Sequence, residues 1–155
     1  MLLDSGRPKS VQGRYDILSA GPYRRLVTRG EITEIEDAGG ARRSKLDPFE
    51  ILRGELACGT RQGLDELPFS GGAIGYFAYD LARRIERLPE LTTPDDPMPE
   101  MVIGLYDWAL VVDHHARTAW LATQGRDPQT ARDWNDLVRL FKQGGNPDSQ
   151  GFRRL

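Results

Sequence analysis

Apolar residues are unevenly spread along this chain, and their spacing outlines the elements. Met101 to Val112, "MVIGLYDWALVV", is almost continuously apolar and predicts a central strand covered on both faces. Asp113 to Arg117 supplies a turn, and Thr118 to Thr123 returns as the partner strand. Earlier, "RYDILSAGPYRRLVTRGEITEIED" alternates short β-prone runs with turn signals at Gly21-Pro22 and Arg29-Gly30. It predicts two or three antiparallel strands with tight connections. Leu2 and Leu3 look like the tail of a further strand, and "GGARRSK" reads as a loop. Two helices carry clear start signals. Asp47-Pro48-Phe49-Glu50 places a capping Asp before Pro, with Glu three residues after the cap, and Phe49, Leu52 and Leu56 follow at helical spacing towards Gly59. Asp127-Pro128 repeats the cap-plus-proline start, and Trp134, Leu137, Val138 and Phe141 fall on one face. Hairpins with separate helices define an α+β fold, a mostly antiparallel sheet with packed helices.

Composition narrows the class. With 39% hydrophobic and 28% charged residues, the 155-residue chain suits one globular domain. Its 21 basic and 23 acidic residues leave a net charge of −2, with no electrostatic footprint for nucleic acid or anionic lipid. The single cysteine, Cys58, excludes an internal disulfide framework. No stretch approaches the ~20 apolar residues of a membrane span, so a cytoplasmic setting follows by default. The tail "KQGGNPDSQGFRRL" has linker composition. Together with the abrupt start, it predicts a domain over residues 1–142 and a linker over 143–155, cut from something longer.

Few residues offer chemistry. Gly71, Gly72 and Gly75 in "PFSGGAIGYFAYD" invite comparison with phosphate-binding loops, but the G-x-G-x-x-G order is missing and Ile74 to Tyr79 reads as a strand. Glycines beside a strand mark a bulge or a close backbone approach, so these are assigned to structure. Asp80 is read as a helix cap, with Leu81, Ile85 and Leu88 as a short apolar stripe. His114 and His115 are placed on an exposed hairpin turn, pointing to opposite sides. Asp95-Asp96 lies in a proline-rich loop, and the three tryptophans fall inside apolar patterns that place them in the core. Nothing here assembles into an active site.

That negative result gains meaning from a resemblance. "LPFSGGAIGYFAYDLARRIERLP" followed by "GLYDWALVVDH" resembles the N-terminal domain of the anthranilate synthase and aminodeoxychorismate synthase large-subunit family. "LLDSG", "RYDILSAGP" and "DPFEILRGEL" fit the same family, and the aminodeoxychorismate branch is the more similar. Gly71, Gly72, Gly75, Tyr79 and Asp80 are its structural motif. The resemblance implies that this region interleaves with a larger C-terminal chorismate-binding domain into one α/β sandwich. That domain would hold Mg2+ and chorismate, and a glutamine amidotransferase subunit would supply ammonia for an amino group on the way to p-aminobenzoate and folate. This stretch would then carry no catalytic residue and no cofactor of its own. It would carry part of a tryptophan pocket: Ser5 in the motif with Leu2 and Leu3, then Gln12, Gly13, Arg14 and Tyr15. Alternatively, Ser5 and Arg14 merely tie down a strand end. Two other identities stay open, the tryptophan-inhibited anthranilate synthase branch and a free-standing amino-acid-binding module. Surface that the larger domain would cover is expected to be apolar and to favour self-association.

Overall fold

A computed structural model describes residues 1–6, 13–57, 66–86 and 98–142. Two antiparallel sheets make up the framework. The strands are β1 (Leu2–Leu3), β2 (Tyr15–Leu18), β3 (Arg24–Arg29), β4 (Ile32–Asp37), β5 (Gly40–Ser44), β6 (Gly72–Phe77), β7 (Met101–Tyr106), β8 (Trp108–Asp113) and β9 (Thr118–Thr123). The helices are α1 (Pro48–Ala57) and α2 (Pro128–Lys142), with a 3₁₀ helix over Tyr79–Arg84. One sheet has the order β1-β2-β8-β9 and the other β5-β4-β3-β7-β6. The α+β expectation holds.

Turn chemistry sets the hairpins. Arg29 pairs with Ile32 across a two-residue loop, and Gly30 takes the positive φ that such a tight return requires. A hydrogen bond of 2.9 Å between the buried Thr28 and Thr33 hydroxyls ties this hairpin inside the sheet. The "GGARRSK" segment is no loop: Asp37 pairs with Gly40 across a second two-residue connection, and β5 follows. Its strand is hidden in the sequence because Arg42 and Arg43 sit on an exposed edge with no apolar alternation to show it.

The largest departure concerns the apolar run. Met101 to Val112 forms two strands in different sheets, β7 and β8, separated at Asp107. Asp107 is buried, and its carboxylate accepts the Arg126 N–H at 2.7 Å and the Thr123 hydroxyl at 3.2 Å. A polar residue with its own partners can thus turn a chain inside the core. The run looks uniform because each half is buried, but in its own sheet.

The main apolar cluster joins Leu26, Ile35, Met101, Ile103 and Leu105 of the five-stranded sheet to Leu81 of the 3₁₀ helix, and Phe49, Ile51 and Leu52 of α1 pack against it. Asp47 caps α1 as its sequence predicts, with Oδ1 accepting the Phe49 N–H at 2.8 Å. Phe49 stacks on Phe77, ring centroids 5.5 Å apart. Asp127 caps α2 through the Gln129 N–H, and Phe141 tilts against Trp108 of the four-stranded sheet at 6.0 Å. Of the three tryptophans Trp108 is core, Trp134 is half-buried, and Trp120 on the edge strand β9 is exposed, so the expectation of three core tryptophans is corrected. The proposed linker, Gly59 and Asp95-Asp96 lie outside the described residues.

Candidate functional site

Two of the residues singled out for a ligand, Ser5 and Gly13, meet where β1 runs beside β2. Leu2 pairs with Leu18 and Leu3 with Ile17, so the chain after Leu3 runs beside the start of β2. Asp16 fixes it there: its Oδ1 accepts the Ser5 N–H at 2.8 Å. Gly13 packs against Ser5 so closely that a Cβ on it would lie 2.9 Å from Ser5 Oγ. Ser5 and Gly13 are therefore brought together. The Ser5 hydroxyl is buried and makes no hydrogen bond of normal geometry. Its dipole still helps the Ser5 N–H and His114 hold the Asp16 carboxyl below the usual carboxylate range, the N–H contributing most.

Arg14 points elsewhere. Its Nε and Nη2 reach Asp113 Oδ2 at 3.1 and 2.8 Å, and the guanidinium lies 4.6 Å from the Tyr15 ring centre. Asp113 is 3% exposed in its side chain while Arg14 is half exposed. The carboxylate also accepts the His115 and Ala116 N–H groups, which closes the β8–β9 turn. These bonds, with Arg14 first, depress the Asp113 carboxyl to about 2. Arg14 and Tyr15 thus tie β2 to β8, and Gln12 lies outside the described residues. Sequence reasoning missed Asp16, Asp113 and His114. His114 is not merely a turn residue: it is half-buried, and its Nε2 is 2.7 Å from Asp16 Oδ2. The signal lay in acidic residues inside or ending apolar strands, where burial demands a partner.

The glycines of the motif are packed closely against neighbouring backbone. Gly71 and Gly72 carry φ of +137° and +133°, and a Cβ on Gly71 would sit 2.9 Å from the Tyr106 carbonyl oxygen. A Cβ on Gly75 would collide with the Val102 carbonyl oxygen. A strand, β6, runs through Gly75, so no helix N-terminus faces an anion there. Tyr79 and Asp80 open the 3₁₀ helix. Asp80 does not cap it: Ala78 precedes the first turn without a side-chain bond, and Asp80 pairs with Arg83 instead. Only Leu81 of the expected stripe is buried; Ile85 is exposed, and Leu88 is outside the described residues.

Clefts among the described residues include the following two. One, of about 370 Å³, lies between Tyr23, Arg24, Glu55 and Arg126, where Arg24 is paired to both Asp37 and Glu55. The other, of about 360 Å³, is floored by Gly75, Val102 and Gly104 beside Ile74 and Tyr106. Neither includes Ser5. No three His, Cys, Asp or Glu side chains among the described residues are disposed to hold a metal ion, and no described helix is long and apolar enough to cross a membrane.

A fold of two antiparallel sheets with this glycine-bearing strand places the chain among known proteins. Residues 8–153 match the chorismate binding enzyme family, and the chain belongs to it. It is 41% identical over 136 residues to aminodeoxychorismate synthase component 1 of Klebsiella aerogenes, covering 86% of this chain and 30% of that protein. The Escherichia coli protein of the same name is 38% identical over 163 residues, covering 93% of this chain and 36% of that protein. Anthranilate synthase alpha subunit 2 of Arabidopsis thaliana is 34% identical over 128 residues, covering 77% of this chain and 21% of that protein. The chain therefore spans about a third or less of these relatives, between 21% and 36%. In fold it is similar to anthranilate synthase component I from Streptococcus pneumoniae, with TM-score 0.69, 22% identity, and coverage of 86% of this chain and 30% of that one.

Proposed function

We propose that this chain is the N-terminal, non-catalytic part of an aminodeoxychorismate synthase component I. With a glutamine amidotransferase, the whole protein would convert chorismate to 4-amino-4-deoxychorismate in the cytoplasm. The observation that carries this reading is the order of likeness: 38–41% identity to three aminodeoxychorismate synthases against 32–35% to the anthranilate synthases. Residues 1–142 would be the folded part and 143–155 the link to the chorismate-binding remainder. Magnesium would be held by that remainder.

The part contributed by this chain is architecture and one wall of a tryptophan pocket. Support comes from Ser5: its buried hydroxyl lies beside a glycine with no room for a side chain, a setting that suits the polar end of an amino acid. Arg14 is committed to Asp113, so it would shape this wall and not bind the ligand's carboxylate.

A hybrid gene joining this chain to the remaining two thirds of the Escherichia coli relative tests the reading. In a strain lacking that relative, growth without p-aminobenzoate is expected. Failure there, with rescue of a tryptophan auxotroph when the chain is joined instead to the corresponding remainder of an anthranilate synthase component I, would assign the chain to the anthranilate branch. Calorimetric titration of the chain alone with tryptophan tests the binding-module alternative, which needs saturable heat.

A further inference from the structure

Asp16 uses its two carboxylate oxygens separately. Oδ1 accepts the Ser5 N–H at 2.8 Å, and Oδ2 lies 2.7 Å from His114 Nε2. Backbone contacts fix both ends of that pair: Asp16 pairs with Val112 of β8, and the His114 N–H donates to the Arg14 carbonyl at 2.9 Å. The His114 and Asp16 side chains are 28% and 26% exposed, so water competes little for the contact. Charged groups around them are committed elsewhere, Arg14 to Asp113 in the β8–β9 turn and Asp4 to the Gly6 N–H. The β1–β2 ladder ends at Leu3, and the bond from Ser5 to Asp16 carries the association further along the chain. Ser, His and Asp together suggest a catalytic triad, but their order is wrong. A triad sets the imidazole between carboxylate and hydroxyl, whereas here the carboxylate stands between the imidazole and Ser5. Such an arrangement orients main chain; it does not activate a nucleophile.

We propose that Asp16 is a positioning residue for Ser5 and that His114 sets the direction of its carboxylate, so that the β8–β9 turn controls where Ser5 stands. Its bearing on a ligand rests on the reading of Ser5 as part of the tryptophan wall. The terminal torsion of an aspartate is broad, so a single hydrogen bond leaves the carboxylate free to swing. A second partner at the other oxygen selects the orientation that keeps Oδ1 on the Ser5 N–H. Position matters here because the fit is tight: a Cβ on Gly13 would lie 2.5 Å from the Ser5 carbonyl oxygen. Displacing Ser5 therefore moves its hydroxyl and its packing against Gly13 together. Both Asp16 oxygens are engaged, so Asp16 acts through Ser5 and not on the ligand itself.

Amide NMR of the chain as it stands, recorded at one pH, provides the test. Asp16→Ala should move the Ser5 amide proton upfield and speed its exchange at least about tenfold. Asp16→Asn, which keeps an oxygen acceptor, should retain most of both. His114→Leu should speed the same exchange about threefold, and His114→Gln, whose side-chain N–H can still donate, should restore it. Resonances of Ile103 and Leu105 in the five-stranded sheet should stay in place, which shows that each variant is folded. Should Asp16→Ala fail to fold, the two His114 variants decide alone. A Ser5 amide unchanged in His114→Leu, or not restored by His114→Gln, would overturn the proposal. Calorimetry separates it from the pocket reading. Where tryptophan binds, Asp16→Ala should lower its affinity about tenfold, and unchanged affinity would overturn the positioning role. Ser5 changes as expected in a chain that gives no heat with tryptophan would uphold the positioning of Ser5 and remove the pocket reading.

Discussion

The five-stranded sheet and the four-stranded sheet share one continuous segment, β7 to β8, yet they are held by different forces. In the five-stranded sheet Leu26, Met101, Ile103 and Leu105 interlock under α1, and the buried Thr28–Thr33 pair is neutral. In the four-stranded sheet the buried apolar residues include the smaller Ala109, Val111 and Ala122. Polar ties do more of the work there. Ser19 Oγ donates to the Trp108 carbonyl at 2.6 Å, Asp113 takes four hydrogen bonds, and Asp16 bridges Ser5 and His114. Where buried side chains are as small as Ala109 and Ala122, the alignment of strands rests more on directional bonds. Stability of the first sheet should follow buried methyl groups, and that of the second should follow ionisation.

Truncating the first sheet gives the largest effect. Leu105→Ala removes a fully buried side chain and should cost about 2–5 kcal/mol in urea unfolding, with little dependence on pH between 3 and 7. A strong pH dependence of that cost would blur the distinction between the sheets. At the crossing point, Asp107→Ala leaves the Arg126 N–H and the Thr123 hydroxyl without their acceptor. It should cost about 2–4 kcal/mol by the same measurement. A loss below about 0.5 kcal/mol would show that the bend needs no polar anchor.

Acid sharpens the contrast. The Asp113 carboxyl is held at about 2 in the folded protein, below its ordinary value of about 3.9. Its contribution is complete above that ordinary value and is lost as pH falls through the folded one. Arg14→Ala should therefore raise the pH at which acid unfolding begins, followed by circular dichroism, and Asp113→Asn should flatten the dependence. Unchanged acid midpoints in both variants would remove Arg14–Asp113 as the pH-sensitive tie. The smallest expected change is Ser5→Ala: within about 0.5 kcal/mol in stability, because the backbone N–H that makes the larger contribution at Asp16 is kept, but with any heat of tryptophan binding abolished.

Several features could be read directly from residue order. The Asp-Pro helix starts at Asp47 and Asp127 and the returns at Gly30 and after Asp113 depend on neighbouring residues. Torsional limits and short-range hydrogen bonds act in any context. Strand β5 was illegible because exposed arginines carry no alternation. The role of Asp80 was misread because a 3₁₀ turn and the first turn of an α-helix begin with the same residue types.

What residue order could not reveal was partnership at a distance. A run of apolar side chains from Met101 to Val112 reports burial, but burial is the same quantity in one sheet as in two. Where that run breaks depends on Asp107 finding Arg126 and Thr123. Likewise the partner of Arg14, Asp113, lies 99 residues away, and Ser5 and Gly13 become neighbours only once β1 lies along β2. Hydrophobic burial is non-directional and leaves a periodic trace in the chain, whereas hydrogen bonds and ion pairs are directional and short-ranged, so their partners are chosen when the strands meet.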